Sequence, residues 1–166
     1  MITSNIDLGD NVSINPTASI NNVKIGSETK ISGNSKVFGS PANSLEVGKG
    51  CYVGPYSTIE GFNAKVIIGD HVSIAQNVNL MSGSGPNASV KLQKIFPVTT
   101  GEVNIGDNAW IGASAIIMPN VTLGRFCIVA AHSYVNKSFP DYSIIGGVPA
   151  KLIRRFTDLE IEKVNS

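Results

Sequence analysis

Residues 103–137 read VNIGDNAWIGASAIIMPNVTLGRFCIVAAHSYVNK, and within them Ile105, Ile111, Ile117, Leu123, Val129 and Val135 recur at intervals of six. A helix repeats its apolar face every 3.6 residues and a half-buried strand every two, so neither explains this spacing. A period of six marks a solenoid of hexapeptide repeats. Upstream the same period gives Leu8, Ile14 and Ile20, then Ile25, Ile31 and Val37, then Val47, Val53 and Ile59, then Ile68, Ile74 and Leu80. It is interrupted only after each third anchor, where the steps are 5, 10, 9, 25 and 6 residues. Three hexads therefore make one coil, and the chain holds six coils.

Two further registers agree with this count. The residue after the first anchor of each coil is always glycine (Gly9, Gly26, Gly48, Gly69, Gly106, Gly124), whereas after the third it never is. One corner thus differs from the other two, as expected of a triangular prism whose insertions leave from a single edge. The position four after each anchor is mostly small or β-branched, as at Thr29, Ser35, Cys51, Ser57, Ala109, Ala115, Cys127 and Ser133. Side chains converging inside a narrow prism need that size.

The 166 residues make one domain by length, and six coils at about 4.8 Å each stack to roughly 29 Å. Seventeen glycines and an aromatic content of 7% suit tight corners around a thin interior. A net charge of +1 argues against a dominant nucleic-acid surface. No apolar run has the length of a membrane span, and MITSNIDLGD has neither the basic start nor the apolar core of a secretory signal, so a cytoplasmic location is expected. Cys51 and Cys127 fall on the small inward position, where a thiol acts as a small hydrophobe rather than half of a disulfide or metal pair.

Two segments depart from the repeat. Ser82 to Glu102, SGSGPNASVKLQKIFPVTTGE, is a long excursion inside a regular stack, and Ile95, Phe96 and Val98 give it apolar residues to dock with. At the other departure, Phe139-Pro140-Asp141 is expected to end the repeat, dividing the β-helix of residues 1–138 from a tail of residues 139–166. In that tail Gly146-Gly147-Val148-Pro149 reads as a turn, and Thr157 to Val164 as a short helix opened by a Thr157/Glu160 capping box.

From Val103 to Phe156 the wording closely resembles the carboxy-terminal part of the hexapeptide-repeat acetyltransferases, an all-β family of left-handed parallel β-helices acting on galactosides, maltose, serine, xenobiotics and capsular sugars. The resemblance implies left-handed coiling, a homotrimer with grooves between subunits, and acetyl-CoA as co-substrate without a metal. It also implies a sugar or amino-sugar acceptor, as a nucleotide sugar or a surface-polysaccharide precursor. Positions resembling the CoA lining are Ala113 in WIGAS, Ala131 in VAAHS, Asn136 and Lys137 in YVNKS, and Lys151 and Arg154 in VPAKLIRR. Small alanines let a pantetheine arm lie against backbone amides, while Lys137, Lys151, Arg154 and Arg155 offer charge to phosphates. Trp110 precedes an inward anchor and so points outward, which suits a subunit contact or, failing that, ligand stacking. Coil level suggests Tyr56, Asn79 and Ser84 for the acceptor.

The base expected from the resemblance is missing. Relatives that acetylate hydroxyls open the long loop with a His, commonly followed by Pro; here LMSGSGPNAS puts Gly85 or Pro86 in its place, and neither accepts a proton. His71 and His132 both sit three residues after an anchor, on outward corners. His132 adjoins Ala131 and is the candidate base, although it lies two coils, about 10 Å, from the coil that carried the missing His. Positioned acid–base catalysis is typically worth about 10² to 10⁴-fold, so its loss would cripple transfer to a hydroxyl. A neutral amine attacks a thioester unaided, so the odds move toward an amino acceptor, or toward a base supplied by Glu60 or Glu102.

Two other function classes compete with this one. A γ-type carbonic anhydrase on this scaffold needs three histidines around zinc, and two on different corners cannot supply them. A descendant that kept the prism but lost turnover, acting as a binding protein, is favoured by the absent His and opposed by the intact CoA wording.

Overall fold

The computed structural model describes residues 4–166 as a left-handed parallel β-solenoid of about six turns with a short helix at its carboxy-terminal end. The first face stacks β1 (Ile6–Leu8), β4 (Val23–Ile25), β7 (Leu45–Val47), β10 (Val66–Ile68), β15 (Val103–Ile105) and β18 (Thr122–Leu123). On the second face lie β2 (Ser13–Ile14), β5 (Lys30–Ile31), β8 (Tyr52–Val53), β11 (Ser73–Ile74), β16 (Trp110–Ile111), β19 (Ile128–Val129), β21 (Ser143–Gly147) and β22 (Ala150–Arg155). The third face comprises β3 (Ser19–Asn21), β6 (Lys36–Gly39), β9 (Thr58–Gly61), β12 (Asn79–Met81), β17 (Ile116–Ile117) and β20 (Tyr134–Val135).

Every sixth-residue anchor falls in register with its equivalents above and below. On the second face Ile14, Ile31, Val53, Ile74, Ile111 and Val129 pair in one unbroken parallel ladder. Ile25, Val47, Ile68, Ile105 and Leu123 do the same on the first. These anchors are at most 3% exposed from Ile25 upward, so the core is a single column of stacked aliphatic rows. Inward hydroxyls at the small position are satisfied by the coil above: Thr29 Oγ1 donates to the Gly48 carbonyl at 2.8 Å and Ser35 Oγ to that of Gly54 at 2.9 Å. Cys51 occupies the same place, and its Sγ lies 3.1 Å from the Gly69 carbonyl.

The corners explain the glycine register. A Cβ on Gly26 would stand 2.6 Å from the Gly48 carbonyl carbon, and one on Gly106 would stand 2.6 Å from the Arg125 nitrogen. Successive coils approach too closely there for any side chain. The residue three after an anchor turns the chain by adopting positive φ, as at Asn34 (58°), Asn77 (56°) and Asn108 (59°), a conformation asparagine tolerates better than most residues. His71 (55°) and His132 (58°) hold this same turning position.

Stacking does not stop at residue 138. Phe139 bridges Leu123, and Ile144 and Ile145 pair with Ile128 and Val129, so a seventh, incomplete coil follows the sixth. β22 then folds back antiparallel on β21 and covers the top of the second face. Helix α2 (Asp158–Asn165) follows, with the expected capping box formed by Thr157 and Glu160.

The excursion between the fourth and fifth coils also carries its own structure. β13 (Gly83–Ser84) and β14 (Thr99–Thr100) form an antiparallel stem, and α1 (Val90–Gln93) sits at the tip, capped by Ser89. All three multi-residue interruptions leave from the edge between the third and first faces.

Candidate active site

The corner between the second and third faces forms a ridge of small residues. Ala113 and Ala131 lie on successive coils, joined where the His132 N–H donates to the Ala113 carbonyl at 2.8 Å. On the coil above, Gly146 and Gly147 continue the ridge, with a Cβ on Gly146 falling 3.0 Å from that of Ala130. The Gly147 N–H donates to Ser133 Oγ at 3.3 Å, which fixes this end of β21 to the sixth coil. Lys151 pairs with Gly146 across the β21–β22 hairpin and projects from the same end, exposed. A bare backbone ridge with a cation at its top suits an extended chain ending in phosphates.

Not all the candidate CoA residues gather there. Asn136 and Lys137 follow the last anchor of the sixth coil and stand one face away, at the corner between the third and first faces; Lys137 Nζ lies 5.5 Å from the Phe139 ring centroid. Arg154 sits toward the opposite end of β22, where its guanidinium grips Glu160 bidentately at 2.7 and 2.9 Å. That pair, reinforced by the Thr157 N–H, holds the Glu160 carboxyl at about 2. Arg154 is therefore spoken for by the α2 cap, a coupling the capping box alone did not disclose. Arg155 donates to the Asp141 carbonyl at 2.8 Å, also on the protein itself.

The excursion's base shows why no histidine stands there. A Cβ on Gly85 would fall 2.7 Å from the Val98 Cα, so the two arms of the loop close too tightly at this level for a side chain. Pro86 offers only its carbonyl, which accepts from Gln93 Nε2 at 3.0 Å and from the Ser89 N–H at 3.0 Å. Glu60 lies beneath the stem but is engaged: it accepts from the Phe62 N–H, from the Ser82 N–H at 3.1 Å and from Ser82 Oγ at 3.2 Å. Buried Ser82 in turn accepts from the Asn63 and Ala64 N–H groups at 3.1 and 3.2 Å, making a latch that sequence reasoning missed. Glu102 is exposed at the loop's return.

The two histidines are separated. His71 is on the corner between the first and second faces, where its ring lies over Gly50, a Cβ there meeting Nδ1 at 2.5 Å. His132 is exposed on the small-residue ridge, across the whole third face from the edge where the excursion leaves. Of the acceptor candidates, Tyr56 stands on the His132 corner three coils below, Asn79 points outward in the middle of the third face, and Ser84 lies in the loop stem. They mark the start, middle and far side of one face rather than a cluster.

Residues 102–137 match the Hexapep family, the bacterial transferase hexapeptide of six repeats. Galactoside O-acetyltransferase of Escherichia coli strain K12 is 34% identical over 122 residues, which are 74% of this chain and 59% of that protein. Chloramphenicol acetyltransferase of Klebsiella aerogenes is 44% identical over 62 residues, covering 37% of this chain and 30% of that one. The chain thus spans about 59% of the first of these relatives and less of the second. Among solved structures, AntD, an N-acyltransferase from Bacillus cereus in complex with dTDP and 3-hydroxybutyryl-CoA, superposes with a TM-score of 0.81 at 27% identity, over 95% of this chain and 86% of that one. The galactoside acetyltransferase complex with coenzyme A gives a TM-score of 0.63 at 27% identity, over 93% and 67%.

The protein is a hexapeptide-repeat β-solenoid. In sequence and in fold it is similar to galactoside and chloramphenicol acetyltransferases and to the N-acyltransferase AntD.

Proposed function

We propose that the protein transfers an acetyl group from acetyl-CoA to the amino group of a nucleotide-linked sugar, a precursor of surface polysaccharide, in the cytoplasm. The observation that carries this reading is the base of the excursion, where Gly85 is closed against Val98 and the position of the expected His carries no proton-accepting side chain. Acetyl-CoA supplies an activated thioester carbonyl, which an uncharged amine attacks; the C–S bond breaks, and the proton lost by the amine passes through water to the departing thiolate. Catalysis then rests on proximity and on held geometry rather than on a positioned base. Similarity to AntD, solved with dTDP-4-amino-4,6-dideoxyglucose and coenzyme A, supports an amino-sugar acceptor.

In this reading Ala113, Ala131 and Gly147 form the pantetheine wall and Lys151 meets the phosphates. Asn136 and Lys137, one face away, and Arg154, bound to Glu160, act from a second wall that a neighbouring subunit of a homotrimer brings opposite. His132 touches the carrier or that neighbour. Trp110, 54% exposed beside half-buried Ile128 on the second face, belongs to the contact between subunits.

The test is release of free CoA thiol with parallel panels of amino and hydroxyl nucleotide sugars. Turnover confined to the amino panel is expected, whereas turnover confined to hydroxyls would overturn the acceptor class. A second reading, a scaffold that binds CoA without turnover, is favoured by the same Gly85 closure. CoA binding with silence on both panels would replace the first reading by the second.

A further inference from the structure

The lower three coils hold a cavity of about 600 Å³ that none of the candidate CoA, base or acceptor residues line. It opens on the third face and on the edge where the interruptions leave, with Phe38, Pro41 and Phe62 as apolar walls and Asn21, Asn22 and Lys36 as polar ones. Lys36 and Phe38 are alternate residues of β6 and therefore project to the same side. Phe62 is 58% exposed and Pro41 is exposed, so these walls are presented to solvent and not filling the core. Asn22, 5% exposed, is fixed by Asn5 Nδ2 at 2.8 Å and by the Leu45 N–H, and it holds the floor rigid.

The volume falls in the range of small-molecule sites, which are mostly apolar with a few placed polar groups. Two phenyl rings and a proline suit a planar ring, side-chain amides suit its donor and acceptor edge, and one cation suits an anion attached to it. Lys36 forms no ion pair among the described residues. In the outward row of the third face it is followed by Thr58 and then Asn79, directly paired strand to strand, on the coil from which the excursion leaves. Two strand spacings amount to about 10 Å, a gap that two phosphates and a sugar bridge.

Resting on the acceptor class proposed above, we infer that this cavity binds the nucleoside diphosphate end of the acceptor, the base between Phe38 and Phe62 and the phosphates at Lys36. The row Lys36–Thr58–Asn79 then directs the sugar upward to the loop.

Calorimetric titration of the full chain with dTDP and UDP, alongside thymidine, inorganic pyrophosphate and CoA, tests this. Phe62→Ala is expected to weaken diphosphate binding roughly tenfold, the usual worth of one aromatic stacking partner. Lys36→Gln is expected to weaken it roughly tenfold while leaving thymidine unchanged, because only a charge-assisted bond to phosphate is lost. Both side chains are exposed, and CoA affinity should be unaltered in either variant. The inference is overturned if neither diphosphate binds, if binding ignores both substitutions, if pyrophosphate binds as well as dTDP, or if CoA displaces dTDP. Failure of CoA to bind would instead remove the proposed function, and the dTDP titration would still decide the cavity.

Discussion

Substitution of Gly106 by alanine tests the close stacking of coils at the glycine corner. The new Cβ would lie 2.6 Å from both the Arg125 nitrogen and the Gly124 carbonyl carbon, and 2.9 Å from the Gly124 oxygen. All three are backbone atoms, so no side chain can swing aside. Ordinary carbon contacts lie at about 3.5–4.0 Å, and relief requires the fifth and sixth coils to part locally by about 1 Å. That movement would stretch the Gly106 N–H bond to the Leu123 carbonyl, now 2.7 Å, beyond hydrogen-bonding range. Overpacking typically costs about 1–3 kcal/mol and a lost bond about 1 kcal/mol, so a loss of about 2–4 kcal/mol is expected. Gly33→Ala is the matched control, because its Cβ would meet only the side chains of Thr17 at 2.9 Å and Asn15 at 3.2 Å, which can move. Urea unfolding of both variants measures the difference. A Gly106→Ala midpoint equal to wild type, or equal losses in the two variants, would refute the reasoning.

Ser82→Ala would remove the acceptor of the partly buried Asn63 and Ala64 N–H groups, a loss of about 1 kcal/mol. Hydrogen exchange should rise at residues 61–65 and 82–86 and not in the sixth coil. Helix α2 should respond to acid: the Arg154 guanidinium, then the Thr157 N–H, hold Glu160 at about 2 against an ordinary 4.5. Because the folded value is depressed, this support is complete above about pH 4.5 and is lost as pH falls through about 2. NMR signals of α2 should report that loss, and Arg154→Gln should move it up into the ordinary carboxylate range. Burial pushes the Cys51 and Cys127 thiols upward, so native protein at pH 8 should react slowly with a disulfide reagent and denatured protein rapidly at both. A fast native phase counting two thiols would contradict it.

The prism was legible because its period is enforced at three positions at once: an inward anchor, a corner too tight for a side chain, and a small inward residue. The seventh coil escaped that reading for a specific reason. Phe139 lies six before Ile145, with Tyr142 at positive φ and Ser143 buried at the small position, but Pro140 replaces the glycine that marked the other coils. Relaxing one criterion would have found it. The ridge of Ala113 and Ala131 was equally legible, since residues at one repeat position must share a corner. What the repeat does not encode is where a long side chain goes once it leaves the surface. Arg154 reaches along the chain to Glu160, and Glu60 reaches up to Ser82; both are decided by rotamers and by elements outside the hexads. The hairpin inside the excursion was hidden because its stem strands are only two residues long.

The two ends of the prism are finished differently. The seventh, incomplete coil, which buries Phe139 and Ile145, roofs the upper end, whereas among the described residues β1, β2 and β3 have a neighbour on one side only; Ile6 and Leu8 remain 39% and 44% exposed, and burial begins at Asn22. In a structure held together by nearest-neighbour contacts, such asymmetry sets a direction of dismantling, from the unroofed coil upward. The cavity belongs to that first region to loosen, so an occupant there would act as the missing lid and slow fraying far more than an equally tight ligand seated near the roof.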